Sequence, residues 1–432
     1  MLDENIICIF LSKFIEQIKA ILPSNLHQWS TVEIERKDNG YQIGHSNQPN
    51  FLILIRHEQV RKHLSSLDEF SRIIDVDIRY QKIKQEYTER FNGGVSYWLE
   101  TNYIVESTLR EYIGQLNQLK YEEKSARQIA KNLLRSLDEE ISETVCYSVV
   151  RGLECDFECQ TLSKDIQLRK LTDDEICKLI QHHEGLLKDD ELPTNPCVLE
   201  QRFLIPLYQM QGVDINTATE NFNEIITALR LLKEGRVERQ NTYTRSEHPG
   251  QLRAMGGSIG SLNKRYPISQ TYTLFEADIP ALKEILKAIK SGIIPVRLQT
   301  AVDRVNFAAE RDRADDRLLD LLIAMEALFG DSQGAIGYKI GLRCAVFVEN
   351  DYEKRSRITQ LINDAYSRRS ALVHGGKSKS MGTLRLTTDE IVQELLFLIQ
   401  KSTNLIIKRL LSGENIPDGQ EFDKMLLQQP RN

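Results

Sequence analysis

The chain has 432 residues, of which 41% are hydrophobic and 27% are charged. This length and composition give room for two or three domains with sizeable cores, and they exclude a disordered or fibrous protein. The formal net charge at pH 7 is −6, so the chain lacks the global positive field of many nucleic-acid-binding proteins, although a local one remains open.

The cysteines and the first residues indicate a soluble, cytoplasmic protein. The seven cysteines are odd in number, form no C-x-x-C pair and have no histidine at zinc-ligand spacing, so we expect reduced thiols and no metal site. Asp3 and Glu4 stand where a signal peptide would carry basic residues, and Lys13 and Glu16 interrupt the apolar run that follows. No stretch approaches the length of uninterrupted apolar sequence that crosses a membrane.

Residues 1–140 predict a mixed, mostly helical region whose role the sequence does not reveal. Apolar residues recur at helical spacing from Ile6 to Leu22, where the run ends before Pro23. Two strand-like runs follow, Ser30 to Glu35 and Asn50 to Arg56, and an Asp-Asn-Gly turn signal comes after the first. The charged segment from Tyr80 to Glu140 predicts one or two long helices.

Residues 141–276 predict a β-rich α+β region, a candidate sensor or regulatory domain. Thr172 and Glu175 have the spacing of a capping box, so a helix is expected to begin there. His182 and His183 at its far end point to different helix faces, which makes a metal site there a poor interpretation. The stretch around Gly256 lacks the spacing of a phosphate-binding loop. The main predicted elements are strands at Val145 to Leu153, Ile166 to Arg169 and Val198 to Gln209, and a helix at Asn216 to Lys233.

Residues 277–415 predict an all-α bundle of about five helices, followed by a flexible tail at 416–432, so the fold class is α+β. The segment from Arg317 to Phe329 is apolar nearly all round, as expected of a central bundle helix. Glu326 within it must find a partner or stay neutral, and Arg343 on the next helix has the matching charge. The other predicted helices are Pro280 to Lys290, Val296 to Ala309, Ile336 to Val348, Tyr352 to His374, and Thr387 to Leu411.

The end of the helix that reaches His374 carries the residues most indicative of function. Arg369 and His374 stand five apart, and Gly375 and Gly376 follow as at a helix C-terminus. The negative end of the helix dipole there should raise the pKa of the imidazole and favour a proton donor. Five residues turn about 500°, so the two side chains point about 140° apart and a joint site needs a frayed turn or a second helix copy. Ser370 and His374, in contrast, share a face.

On spacing alone, a capping histidine beside a solvated arginine is the simpler interpretation of this pair. The local charge favours a functional interpretation of the pair, because between Asp351 and Ser380 there are seven basic residues and three acidic ones. Such a surface would attract a polyanion, although a charge run is also typical of a solvated helix face. Arg368, Lys377 and Lys379 are the candidate contacts nearest the pair.

Three blocks in this half of the chain, in order, resemble the Apea-like group of HEPN domains. The blocks are Asp316 to Leu328, Gly337 to Ala345 and Tyr366 to Gly376. The segment Val150 to Thr172 is also similar to the β-rich region that often precedes this domain. The resemblance therefore implies that the predicted C-terminal bundle is a HEPN bundle, and residues 1–140 match nothing comparable.

HEPN proteins are typically dimeric, and in active members an R-x4-H motif from both protomers forms one composite, metal-independent ribonuclease site. By this pattern Arg369 would neutralise the scissile phosphate while His374 handles protons as the RNA 2′-hydroxyl attacks it. Ser370, Glu326 and Arg343 would support the site, and RNA would contact Arg368, Lys377 and Lys379.

Many such domains act in toxin–antitoxin or anti-phage systems. The resemblance thus implies an RNA-cleaving toxin or defence effector that forms a homodimer, needs no cofactor and meets an antitoxin or another defence-system protein. One departure keeps an alternative open, because the residue after the motif arginine is commonly Asn, Asp or His and is Ser370 here. The alternative is a catalytically inactive HEPN dimer that binds RNA, nucleotide or a partner protein. A metal- or nucleotide-dependent enzyme comes third, since neither ligand spacing nor a phosphate loop supports it.

Overall fold

The structure is a computed structural model in which thirteen ranges of the chain are described. These are residues 1–21, 30–37, 40–49, 61–90, 101–116, 119–139, 141–173, 175–176, 196–206, 213–246, 272–330, 336–373 and 382–427. The protein is α+β, as predicted, and its chain divides into two compact units. The first unit comprises Met1–Val149, Ser163–Thr219 and Asn241–Ser261, and the second comprises Val150–Leu162, Glu220–Gln240 and Leu262–Asn432.

Helices dominate both ends of the chain, and most of the strands lie between them. The elements up to the middle of the chain are α1 Glu4–Ile21, β1 Ser30–Lys37, β2 Gly40–Pro49, α2 Ser65–Asp75, α3 Ile78–Arg90, α4 Thr101–Leu116, α5 Glu123–Asp138, β3 Ile141–Arg151, β4 Leu153–Cys155, β5 Cys159–Ser163, β6 Ile166–Lys170 and β7 Cys197–Pro206. The remaining elements are α6 Val213–Leu232, β8 Glu238–Arg239, β9 Tyr243–Ser246, β10 Tyr272–Leu274, α7 Ile279–Lys290, α8 Val296–Glu310, α9 Ala314–Phe329, α10 Ile336–Val348, α11 Tyr352–Val373, α12 Thr388–Leu411 and α13 Gly419–Leu427.

The helices of the first unit share one apolar core, in which α1 packs against α2 and α5. The rings of Phe10 and Phe70 stack with their centroids 3.9 Å apart, joining α1 to α2. Buried Asp77 accepts a hydrogen bond from the backbone nitrogen of Leu2 at 2.8 Å and pairs with Arg79 at 3.0 Å. Burial alone would raise the pKa of Asp77, but these hydrogen bonds lower it to about 2. The charged carboxylate therefore fixes the start of the chain to this core.

The strands of the first unit form a hairpin and an antiparallel sheet. β1 pairs with β2, so the chain after the predicted turn returns at once as a strand. β7 lies between β6 and β3, and β9 pairs with β3. The predicted strand Asn50 to Arg56, the His182–His183 pair and the glycine-rich stretch around Gly256 lie outside the described residues.

The capping box predicted after β6 is confirmed. The hydroxyl of Thr172 accepts from the Glu175 backbone nitrogen at 3.3 Å, and the Glu175 carboxylate accepts from the Thr172 backbone nitrogen at 3.0 Å. Arg169 joins this turn to β7 because its Nη2 donates to Glu175 at 2.5 Å and to Glu200 at 2.6 Å. Burial would raise the pKa of Glu175, but the hydrogen bonds from Arg169 and Thr172 lower it to about 2.

The second unit is built around α9, which packs against α8, α10, α11 and α12 as expected for a central helix. Most of its apolar side chains, such as Leu322 and Met325, are buried. Asp320 interrupts this apolar surface and is also buried, where it accepts from Arg304 at 2.9 Å and from Arg311 at 3.3 Å. The ion pairs explain how α9 carries a carboxylate into the bundle.

The C-terminal segment differs from the flexible tail predicted for residues 416–432, because α13 is docked on the bundle. Phe422 is fully buried, with its ring centroid 5.3 Å from that of Phe329 and 5.5 Å from that of Phe347. One buried aromatic side chain removes enough apolar surface from water to hold a short helix of otherwise polar sequence. Residues 428–432 lie outside the described part.

Within the described ranges, no helix combines the length and apolar character needed to cross a membrane.

Candidate functional site

The end of α11 lies beside α9 and α10, and two glycines of α10 set how closely it packs. A Cβ on Gly337 would lie 3.1 Å from the ring of Tyr366, and one on Gly341 would lie 3.3 Å from Thr359. Gly337 and Gly341 are one helical turn apart, so the two missing side chains open one face of α10 to α11. This close approach brings the last turns of α11 within reach of Glu326 on α9.

Glu326 gathers two side chains of α11, and the three residues together are called the Glu326 cluster here. Nη1 of Arg369 donates to Oε1 of Glu326 at 2.5 Å, and the hydroxyl of Tyr366 donates to the same oxygen at 3.0 Å. The guanidinium carbon of Arg369 lies 5.8 Å from the Tyr366 ring centroid. The ion pair is partly open to solvent, since 35% of the Arg369 side chain and 29% of the Glu326 side chain are exposed.

Tyr366 serves the cluster as a hydrogen-bond donor. Burial first, and then the negative charge of Glu326, raise the pKa of Tyr366 well above its usual range. The phenol therefore stays protonated and keeps donating to the carboxylate. This arrangement fixes the Glu326 oxygen from two sides and orients one edge of the Arg369 guanidinium. A guanidinium carries five N–H donors in all, so the bond to Glu326 does not use all of them.

The partner predicted for Glu326 was Arg343, and the structure corrects this pairing. Arg343 is buried, donates to the Phe329 carbonyl oxygen at 3.1 Å and meets the two Asp423 oxygens at 3.1 and 3.2 Å. It thus ties α10 to α13, while Arg369 and Tyr366 hold Glu326. Charge alone made Arg343 a candidate, but the packing of α13 determines where its guanidinium goes.

Arg368, predicted to contact RNA, anchors the chain segment that leads into α12. Its Nη1 donates to the Thr388 hydroxyl at 2.7 Å, and its Nη2 donates to the Leu386 carbonyl oxygen. Asp364, one turn earlier on α11, accepts from the backbone nitrogens of Thr383 and Leu384, both at 2.9 Å. The two side chains therefore clamp the returning segment along one face of α11, a role that sequence reasoning missed for Asp364.

Gly382 begins this clamped segment and permits the close approach. A Cβ there would lie 2.3 Å from the Asp364 carboxyl carbon, a distance that real Cβ atoms do not adopt. A glycine is therefore required where the backbone passes over the carboxylate.

The structure places only part of the predicted site. Ser370 is exposed near the end of α11, and the helix is described as far as Val373. His374, Lys377 and Lys379 lie outside the described residues. The structure thus brings Arg369 and Glu326 together, and the pairing of Arg369 with His374 stays a prediction.

Several of the basic side chains counted around the motif are engaged by neighbouring groups of the protein. Arg357 meets both oxygens of Glu394 at 2.6 Å, and Arg355 donates to the Glu349 carbonyl oxygen at 2.6 Å. Together with the bonds of Arg368 and Arg369, these contacts leave the helix face less attractive to a polyanion than its sequence suggests.

Within the described ranges, no group of three or more His, Cys, Asp or Glu side chains is arranged to hold a metal ion. No family model matches the chain, and neither a curated protein nor a solved structure is detectably similar to it.

Proposed function

We propose that the protein is a HEPN-type, metal-independent endoribonuclease that acts as a toxin or anti-phage defence effector. The observation that carries this proposal is the anchored guanidinium of Arg369, which Glu326 holds at 2.5 Å at a partly exposed helix end. Five residues further along the sequence is His374, and histidine is the side chain most often used for proton transfer. An antitoxin or another defence-system protein is the partner that such an effector needs for restraint.

The reaction follows from these two side chains. The RNA 2′-hydroxyl attacks the adjacent phosphorus, and the bond from phosphorus to the 5′-oxygen of the next nucleotide breaks. The products are a 2′,3′-cyclic phosphate and a 5′-hydroxyl end. Arg369 stabilises the charge that develops on the phosphate oxygens, and a guanidinium fixed in advance by Glu326 does so without reorganisation. His374 takes the proton that the 2′-hydroxyl loses and returns a proton to the leaving 5′-oxygen, so the step needs no other acid or base.

We propose that the active form is a homodimer. On one helix the Arg369 and His374 side chains would point about 140° apart, so a second copy of α11 supplies the missing neighbour. The exposed side chains of Leu372 and Val373, 39% and 62% accessible, provide apolar surface at that helix end. A single chain is then expected to be inactive even with both motif residues intact.

The test is RNA cleavage by purified protein in EDTA. Arg369→Ala and His374→Ala should each lower the cleavage rate at least about 100-fold, in the range expected for loss of an oxyanion-stabilising or acid–base group. Arg357→Ala removes the same charge from the same helix but breaks only the pair with Glu394, so it should stay within about twofold of wild type. Equal RNA degradation by wild type and His374→Ala would refute the proposal.

A second candidate is a catalytically inactive HEPN dimer that binds RNA, nucleotide or a partner protein. Exposed Ser370 favours it, because a hydroxyl stands where active members commonly carry Asn, Asp or His. This candidate predicts that wild type retains labelled RNA without cutting it and that Arg369→Ala weakens the retention. Growth arrest on expression that Arg369→Ala abolishes would count against it.

A further inference from the structure

A cavity of about 70 Å³ in the second unit is lined by side chains of α6, α8, α9 and α12 and of the turn after α6. Arginines dominate its charged lining: Arg230, Arg236, Arg311 and Arg317 stand against Glu234. Guanidinium groups repel one another, and the carboxylates that pair with three of them do not line the cavity: Glu238, Glu310, Asp312 and Asp320. An anion inside the cavity would therefore be stabilised by the arginines that face it.

Arg317 is the member of the cluster with the least compensation from protein groups. Within the described part of the chain, no hydrogen bond or ion pair to its guanidinium is present, although its side chain is half-buried. Burial lowers the pKa of Arg317, and the positive charge of Arg236 lowers it further, with only a partial offset from Asp389. A half-buried guanidinium that lacks a hydrogen-bonding carboxylate costs some folding free energy, and a bound anion would lower that cost.

Protein groups hold the other arginines in place. Buried Arg230 donates from Nε and Nη2 to the Val237 carbonyl oxygen, both at 3.2 Å, and from Nη1 to Asn306 at 3.0 Å. Arg311 donates to Asp320 at 3.3 Å.

Arg236 donates to Glu238 at 3.0 Å. Neither Glu238 nor Asp320, the partner of Arg311, is among the residues that line the cavity. The guanidinium groups are therefore positioned from outside the cavity before any ligand enters.

We propose that this cavity binds the phosphate group of a small phosphate ester. Arginine is the side chain best suited to phosphate because its planar donors match the oxyanion in pairs. A cavity of about 70 Å³ is small for a whole ligand, so it suits a single phosphate group with the rest of the ligand outside.

An adjoining groove offers room for that remainder. Glu234 lines both the cavity and an open groove of about 590 Å³, which also carries Lys233, Lys401 and Phe397. The Phe397 ring is 51% exposed, so a flat organic group can lie against it. The site thus favours an ester over the free ion.

The proposal is independent of RNA cleavage. Arg317 precedes Glu326 by nine residues on α9, which places them about 13 Å apart along the helix axis. A negative result for phosphate binding therefore does not bear on RNA cleavage, and the reverse also holds.

The experiment is calorimetric titration of the full-length protein with adenosine monophosphate, inorganic phosphate and, at equal ionic strength, chloride. We expect the monophosphate to bind more tightly than inorganic phosphate and chloride to give no saturable signal. Arg317→Gln should weaken phosphate binding at least tenfold. The matched control is Arg313→Gln, which removes the same charge one turn earlier from a side chain that is 74% exposed and should bind as wild type does.

Two further measurements keep the test decisive. Without ligand, Arg317→Gln should melt no lower than wild type, because it removes a half-buried charge that no hydrogen-bonded carboxylate offsets. Arg311→Gln leaves buried Asp320 its closer partner Arg304, so the variant should fold and should also weaken binding. Wild-type affinity in Arg317→Gln, tighter binding of inorganic phosphate than of the monophosphate, or equal responses to phosphate and chloride would overturn the proposal.

Discussion

Nη1 of Arg369 and Oε1 of Glu326 lie 2.5 Å apart, and this bond joins the last turns of α11 to the central helix of the bundle. Because α9 is buried among four other helices, the carboxylate stands on a rigid support. The orientation of the guanidinium therefore depends on the bundle core and not on the exposed helix end that carries it.

Glu326→Gln tests whether this orientation matters for catalysis. The amide keeps the shape of the side chain but removes the negative charge that fixes Arg369. We expect the turnover number for RNA to fall about tenfold or more, because the guanidinium is no longer fixed where charge develops. The KM should stay equal or fall, since a charge that repels RNA is gone. Steady-state kinetics on a fluorescent oligonucleotide separate the two effects.

The control for that variant is Glu394→Gln. Glu394 also pairs with an arginine of α11, and its side chain is 29% exposed, the same fraction as that of Glu326. It should leave both kinetic constants within about twofold of wild type. Equal losses of activity in the two variants would contradict a specific role of Glu326, because loss of either carboxylate beside α11 would then have the same effect.

Phe422→Ala tests the docking of α13. Loss of a fully buried phenylalanine should lower the free energy of unfolding by about 3–5 kcal/mol, measured by urea denaturation. Leu427→Ala on the same helix changes a side chain that is 85% exposed and should change stability by less than about 0.5 kcal/mol. If both variants unfold like wild type, this segment is the flexible tail that its composition suggests.

Glu111→Gln tests a pH dependence built into the first unit. Burial raises the pKa of Glu111 to about 7, against a hydrogen bond from Asn132 that lowers it. The folded protein thus binds a proton more tightly than the unfolded chain, so wild-type stability falls as pH rises from about 4.5 to about 7. The amide does not titrate, so the variant avoids this loss. Its free energy of unfolding should exceed that of wild type by about 1–3 kcal/mol near pH 8 but by little near pH 5.

Urea unfolding at the two pH values measures that gain. Glu123→Gln, on a side chain that is 64% exposed, serves as the control and should show no comparable pH-dependent gain. An equal gain for Glu111→Gln at both pH values would contradict the proton-linked origin.

The helices of the bundle could be read from the sequence because their apolar periodicity is strong. The predicted segment Ile336 to Val348 has the bounds of α10, and the predicted segment Thr387 to Leu411 begins one residue before α12. The need of Glu326 for a partner also followed from its apolar surroundings alone. These features depend on residues close together in the chain.

The identity of the partners did not follow, because it depends on how helices far apart in sequence lie against one another. Arg343 and Arg369 offer Glu326 the same charge, and the packing of α11 on Gly337 and of α13 beside Arg343 decides between them. The clamp made by Asp364 and the docking of Phe422 depend on long-range contacts as well. A single carboxylate or a single aromatic residue in a polar stretch gives no periodic signal.

The central claim is tested most directly by the ends of the RNA that the wild-type protein produces in EDTA. We predict 2′,3′-cyclic phosphate and 5′-hydroxyl ends, formed by wild type and lost in Arg369→Ala and His374→Ala. Products with 3′-hydroxyl ends, or the same products from His374→Ala at the wild-type rate, would contradict it.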